Sequence, residues 1–211
     1  MSMKPRVRIL TTRECRWTIR VSVTLHEKGV PFELVNVAEK GGKAAWFLAQ
    51  TPFGKTPVLQ CGEHAIPESL VICEYVDELF DGRRLLPGDP MSRAWDRVWL
   101  RFCDETLIRA LYEVARAKDA NSRFEAASRL LTEGGRVERY LSRQPDSRYW
   151  HGSELALPDM CYFTFFDALS RMGEELRQNF FEACPRLATW RQALSECAVF
   201  TAASDALDAL S

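Results

Sequence analysis

Features that announce a function on their own are scarce in this chain. Its seven cysteines include no pair spaced C-x-x-C, so neither a dithiol redox motif nor a zinc-type ligand pair is present. His26, His64 and His151 stand far apart and lack ligand spacing, which favours surface or packing roles and leaves no metal site to propose. No apolar run approaches the roughly 20 residues of a membrane-spanning helix. Neither sign of charge dominates: 28 Lys and Arg face 29 Asp and Glu, for a net charge of -1. That balance argues against bulk binding to nucleic acid or to an anionic membrane surface. Met1-Ser2-Met3-Lys4-Pro5-Arg6 runs straight into a strand-like segment, with no secretory signal in view. Internal repeats and low-complexity tracts are also missing. The expectation is a cytoplasmic protein whose thiols are mostly reduced and buried.

What remains is an ordinary globular composition, 46% hydrophobic and 27% charged, over 211 residues, a length comfortable for two domains. Val7-Arg8-Ile9-Leu10 alternates as a strand. From about Cys15 to Lys28, Trp17, Val21, Thr24, Leu25 and Lys28 share one helical face, and Gly29 is the natural stop. Phe32 to Val37 reads as a second strand, Gly41-Gly42 as a break, and Lys43 to Gln50 as a short helix. Pro57 to Gln60 and His64 to Ile66 read as two short strands. Glu68 to Phe80 reads as a third helix with Leu70, Cys73, Val76 and Leu79 in phase.

Two prolines and two glycines between Asp81 and Pro90 mark a linker. Beyond it the period changes. Trp95, Val98, Trp99 and Phe102 fall on one face of a helix from about Ser92, a stripe that reads as packing ahead of a substrate pocket. Helical segments follow near Ser122 to Ser142, after Pro158 and after Pro185, and no strand pattern returns. The division is therefore a small α/β domain at 1–80, a linker at 81–90 and an all-helical domain at 91–211.

One stretch carries more than secondary structure. Thr51-Pro52-Phe53-Gly54-Lys55-Thr56-Pro57-Val58-Leu59 is followed by Pro67-Glu68-Ser69. Alone, Thr56-Pro57 is a turn before a strand, and Glu68-Ser69 is a helix start with an acid near its positive end. Together they suggest a peptide site: a cis Thr56-Pro57 bond would leave the backbone of Thr56 free to pair with an extended peptide, whose far end Glu68 and Ser69 would hold.

These segments, with Cys73-Glu74-Tyr75-Val76-Asp77, Leu85-Leu86-Pro87-Gly88-Asp89-Pro90, Pro158-Asp159 and Cys184-Pro185-Arg186-Leu187-Ala188-Thr189-Trp190, resemble the cytosolic glutathione S-transferase (GST) superfamily over nearly the whole chain. The resemblance implies a thioredoxin-like N-terminal domain, an all-helical C-terminal domain and a homodimer. The activating residue of the serine- and cysteine-using classes lies fourteen residues before the glycine that ends the first helix. Counting back from Gly29 gives Cys15. That position, Lys28-Gly29-Val30 and Pro52-Phe53-Gly54 look like the omega class and its bacterial relatives. The stringent starvation protein A group, associated with transcription, is also similar. The chain departs in two places: Arg16 stands where omega enzymes usually have proline, and Ala156 where a Ser or Thr helix cap is usual.

The resemblance implies that glutathione, as co-substrate, is held by Lys43, Thr56, Pro57, Glu68 and Ser69. Lys43 would reach its glycine carboxylate, the Thr56 backbone its cysteinyl unit, and Glu68 and Ser69 its γ-glutamyl end. Cys15 is the candidate catalytic residue, ahead of Thr11 and Thr12. A thiol at a helix start, with Arg13, Arg16 and Arg20 nearby and Glu14 opposing, is favoured as thiolate. No cysteine stands close enough to resolve a disulfide, so chemistry would run through one thiol and a mixed disulfide with glutathione. Three functions stay open: glutathione-dependent thiol transfer or reduction of a small disulfide substrate; conjugation, isomerisation or dehalogenation of a small electrophile; and a non-catalytic module that binds a partner such as RNA polymerase.

Overall fold

The computed structural model describes residues 6–40 and 42–210, which form two compact units, one of residues up to Leu85 together with residues from Ala198 onward, the other Leu86–Cys197. In the first, β1 (Val7–Thr11), α1 (Trp17–Glu27) and β2 (Phe32–Asn36) make a βαβ step with β1 and β2 parallel. Then come a two-residue ladder of β3 (Ala38–Glu39) and β4 (Gly42–Lys43), the short α2 (Ala45–Gln50), the antiparallel hairpin β5 (Val58–Cys61) and β6 (His64–Pro67), and α3 (Ser69–Leu79). The sheet order is β2-β1-β5-β6, with β1 antiparallel to β5: the thioredoxin-like arrangement that the resemblance implied.

Both faces of the central strands are covered, since the consecutive Ile9 and Leu10 of β1 and Val58 and Leu59 of β5 are buried, as are Ile19, Leu25 and Ile72 of the helices. Each such side chain contributes about 1.5–3 kcal/mol by leaving water. Gly29 ends α1 as expected. At φ 62° it donates to His26 C=O (2.9 Å), while Val30 N–H donates to Leu25 C=O (2.9 Å), the paired bonds of a Schellman motif.

The sequence reading differs at several points. Helix α1 begins at Trp17, because Thr12 to Thr18 forms successive tight turns: Cys15 N–H donates to Thr12 C=O and Thr18 N–H to Cys15 C=O, each at 3.0 Å. Lys43 belongs to β4, so α2 starts at Ala45. The inward face of α3 is Ser69, Ile72, Cys73, Val76 and Asp77, and Leu79 is exposed. Asp77 replaces the expected leucine inside because its carboxylate meets Lys28 Nζ at 3.1 Å and accepts Leu85 N–H at 2.9 Å, both fully away from water. Leu85 and Leu86 are themselves buried, so the proline- and glycine-rich stretch is anchored at its leucines.

The second unit holds α4 (Pro90–Phe102), a π-helical turn (Cys103–Leu107), α5 (Ile108–Arg116), α6 (Ala120–Leu141), α7 (Leu157–Ser170), α8 (Glu174–Ala183) and α9 (Pro185–Ser195). Asp89 caps α4 by accepting Ser92 N–H (2.8 Å), with Pro90 at its first position. Trp95 and Val98, expected inward, are half exposed, whereas Asp96 is buried on the same helix. Buried aromatic rings, among them Tyr162, Phe165, Phe180 and Trp190, fill the interior. Gly134 makes room for them, because a Cβ there would lie 2.5 Å from the Phe180 ring. The final helix, α10 (Ala198–Asp208), groups with the first unit, whereas the division at 91–211 had placed it among the C-terminal helices.

Asp159 explains the departure at Ala156. Its carboxylate accepts Ala156 N–H (2.7 Å), Trp150 N–H (3.0 Å) and the Trp190 indole N–H (2.7 Å). The return half of the usual capping box, from a hydroxyl, is replaced by a backbone bond from Asp159 N–H to Ala156 C=O (3.0 Å).

Candidate functional site

Strand register gathers most of the singled-out residues. Leu10 faces Val58, and Val58 faces Pro67. One step further along both ladders sets Thr11, Pro57 and Glu68 in a row at one end of the sheet, with Asn36 beside Thr11. Val37 N–H continues the row to Thr11 C=O (2.8 Å), and Ala44 N–H donates to Val37 C=O (2.9 Å). The ladder partner of Ala38 is Lys43. The turn carrying Cys15 leaves the same end of β1. Leu10, Val37, Ala44, Phe47 and Val58 form one buried cluster under this edge.

Cys15 is buried, 8% exposed, two residues before α1. Among the described residues no side chain caps α1, and its first turn holds no acid to offset the positive end of the helix dipole. The arginines named around the thiol are placed differently from one another. Arg13 is exposed, Arg20 is fully buried, and Arg16 is half-buried with its guanidinium 2.6 Å from Asp208 on α10. Arg16 also uses its backbone N–H, donating to Glu14 C=O at 3.1 Å, a bond that proline could not make. Thr11 is committed elsewhere: its hydroxyl lies 2.5 Å from that of Thr18.

The Thr56-Pro57 bond is cis, and among the described residues the Thr56 backbone has no hydrogen-bond partner. Lys43 Nζ donates to Gly54 C=O (2.7 Å), tying β4 to the loop before Pro57. Glu68 is exposed and heads α3 with φ 70°, the one non-glycine residue at positive φ among those described. Its carboxylate and the buried Ser69 hydroxyl make no hydrogen bond among the described residues, and no side chain caps α3. The edge thus offers a lysine, a free strand-like backbone, an acid, a hydroxyl and a thiol: groups that can hold an extended peptide with charged ends.

Sequence reasoning missed the Arg16–Asp208 pair and the Gly54 partner of Lys43, which no local pattern could signal. One group of metal-ligating type lies together among the described residues. Cys103, Asp104 and Cys161 bring their ligand atoms within 4.8 Å of one another, and each thiol already donates to an oxygen.

The family model described as "Glutathione S-transferase, N-terminal domain" matches residues 10–84. Glutathione S-transferase omega-1 of Sus scrofa is 27% identical over 189 residues, spanning 89% of this chain and 76% of the relative. A probable glutathione S-transferase of Glycine max is 30% identical over 183 residues, spanning 82% of this chain and 76% of the relative. Among solved structures, the tau class glutathione S-transferase of mango, Mangifera indica, superposes with a TM-score of 0.84 at 24% identity, covering 96% of both chains.

Proposed function

Because this chain belongs to the cytosolic glutathione S-transferase superfamily and is omega-like, we propose that it is a glutathione-dependent thiol transferase in which Cys15 forms a mixed disulfide with glutathione. The observation that carries this reading is the strand register that gathers Thr11, Pro57 and Glu68 at the end of β1 from which the Cys15 turn departs.

Glutathione lies along the sheet edge as a short added strand, its cysteinyl unit paired with the Thr56 backbone beside Pro57. Glu68 takes the γ-glutamyl ammonium. The Ser69 hydroxyl and the first N–H groups of α3 take the adjacent carboxylate. Lys43 has three N–H donors, so it can keep Gly54 and still reach the glycine carboxylate. The small second substrate is a glutathionylated thiol, or the mixed disulfide with glutathione that a small disulfide forms by exchange with free glutathione, releasing its other half as a thiol. Cys15 thiolate attacks the glutathione sulfur; a Cys15–glutathione bond forms, and the substrate leaves as thiolate and takes a proton. A second glutathione thiolate then attacks the bound glutathione sulfur, releasing oxidised glutathione and restoring Cys15. A homodimer in the cytoplasm is the working assembly, checked by light scattering.

Activity with 2-hydroxyethyl disulfide and mass spectrometry of Cys15 test the mechanism. Cys15→Ala abolishes thiol transfer. Cys15→Ser loses disulfide chemistry while its hydroxyl can still stabilise a glutathione thiolate, so conjugation of a chloronitrobenzene persists or rises. Full thiol-transferase activity in Cys15→Ala sinks the mechanism.

A further inference from the structure

Two thiols and a carboxylate meet in the helical unit, and none of them has a part in the proposed glutathione site. Cys103 and Asp104 open the π-helical turn that follows α4, and Cys161 comes from α7. Both thiols are fully buried, whereas Asp104 is half-buried and gives the cluster its partly exposed member. Spacing along the chain hides the group, because Cys103 and Cys161 stand 58 residues apart. The π-helical winding is itself notable, since such turns are rare and occur often at functional sites.

The geometry suits a metal ion. Cys103 Sγ, Cys161 Sγ and a carboxylate oxygen of Asp104 lie within 4.8 Å of one another. The Cys161 thiol donates to Asp104 Oδ1 (3.8 Å) and to Leu100 C=O (3.7 Å), and the Cys103 thiol to Cys161 C=O (3.8 Å). A thiol is a weak donor, so these contacts do little to hold the sulfurs against a stronger ligand bond. Sulfurs bonded to a tetrahedral zinc ion at about 2.3 Å stand about 3.8 Å apart. The three donors therefore need to close by roughly 1 Å to bind such an ion.

Donor chemistry selects which ion. Thiolates disfavour Mg²⁺ and Ca²⁺, which take oxygen ligands, and a carboxylate disfavours Cu(I), which prefers sulfur. We propose that Cys103, Asp104 and Cys161 form a zinc site, with water in the fourth position on the partly exposed side. On binding, both thiols lose their protons to solvent, two Zn–S bonds and one Zn–O bond form, and the ion sheds the waters that these donors replace. No group changes oxidation state. The ion ties the π-helical turn to α7, two segments otherwise joined here by packing and weak thiol contacts.

The test is calorimetric titration with Zn²⁺ of the full natural chain and of Cys15→Ala, both kept reduced with a phosphine and free of glutathione. One ion per chain, bound more tightly than micromolar, is expected in each. Thermal unfolding shifts upward with one equivalent of Zn²⁺. Cys103→Ser, Cys161→Ser and Asp104→Asn each weaken binding at least tenfold, whereas Cys197→Ser, at a half-buried thiol elsewhere, does not. Should the buried variants fail to fold, Co²⁺ added to Cys15→Ala reads the donors directly, through thiolate-to-metal charge transfer and the strong visible bands of a four-coordinate ion. No binding at micromolar Zn²⁺, affinity indifferent to Cys103 and Cys161, or the weak bands of six-coordinate Co²⁺ overturns the site. Because Cys15→Ala keeps the metal, loss of the thiol-transfer reading would leave this one standing.

Discussion

Arg16 and Asp208 are joined side chain to side chain, Nη1 to Oδ1 at 2.6 Å, across 192 residues of sequence. The residue that follows Cys15 therefore has its charge met by the last turn of α10. Replacing Asp208 with Asn should remove this counter-charge from Arg16, the residue that follows Cys15, and so quicken the reaction of the thiol with an electrophile. The expected result is an alkylation rate of Cys15 by iodoacetamide at pH 7 that rises about twofold and falls back in 1 M salt. Stability should change by less than about 1 kcal/mol, because Asp208 is half exposed. An unchanged rate would mean that Arg16 does not act on the thiol.

Glu68 makes a sharper trade. With φ at 70° and a side chain present, it is strained in a way that glycine is not. Glu68→Gly should be more stable than Glu68→Ala by about 0.5–1 kcal/mol in chemical denaturation, after the larger unfolded-state entropy of glycine is included. Both variants should bind glutathione about ten- to a hundredfold more weakly, the loss of one charge-assisted bond of roughly 1.5–3 kcal/mol. Undiminished affinity in either variant, measured by calorimetry, removes Glu68 from the site.

The Lys28–Asp77 pair is a stability element. Both side chains are buried, and Lys28 Nζ also donates to the carbonyls of Asp77 (3.2 Å) and Arg83 (3.1 Å). Asp77→Ala leaves a buried ammonium without its counter-ion and should cost about 3–5 kcal/mol. Lys28→Met combined with Asp77→Leu should recover much of that loss, though Leu85 N–H stays without its acceptor. If the double variant is no more stable than Asp77→Ala, the pair's charge is not the cause.

Asp159 supplies the pH dependence. Burial pushes its carboxyl up to about 6, against the three N–H donors and the nearby His151, which favour the charged form. The folded state then holds the proton more tightly than the unfolded chain. The contribution of Asp159 to stability is present in full below about pH 4 and is lost as pH rises through about 6. The unfolding free energy of the natural protein minus that of Asp159→Asn should thus fall by roughly 2–3 kcal/mol over that window and then level off. A difference that is flat or rises with pH means that the three donors outweigh burial.

The sequence made the first unit legible wherever local rules were strong. Alternation marked β1 and β2, Gly29 marked the end of α1, and Thr56-Pro57 marked the cis bond. It failed where a distant partner decides. Periodicity on α4 pointed Trp95 and Val98 inward, but Trp150 and His151, some 54 and 55 residues on, draw Asp96 inside instead. The two-residue β3–β4 ladder is too short to leave a pattern, and the separate existence of α5, α8 and α10 was not read. Of the candidate site, the residue types came from the Pro57 and Glu68 motifs and from the helix register of Cys15. The pairing of Arg16, next to Cys15, could not come from them, since Asp208 stands 192 residues away in sequence.

The return of α10 to the first unit sets an order of completion on the ribosome. The helical unit is one continuous stretch and is whole once Cys197 has emerged. The first unit begins earlier but cannot close over α1 until Ala198–Asp208 arrives. Synthesis from the N-terminus thus finishes the second unit before the first. Throughout that interval Arg16, the residue after Cys15, lacks the Asp208 carboxylate that it pairs with in the finished fold.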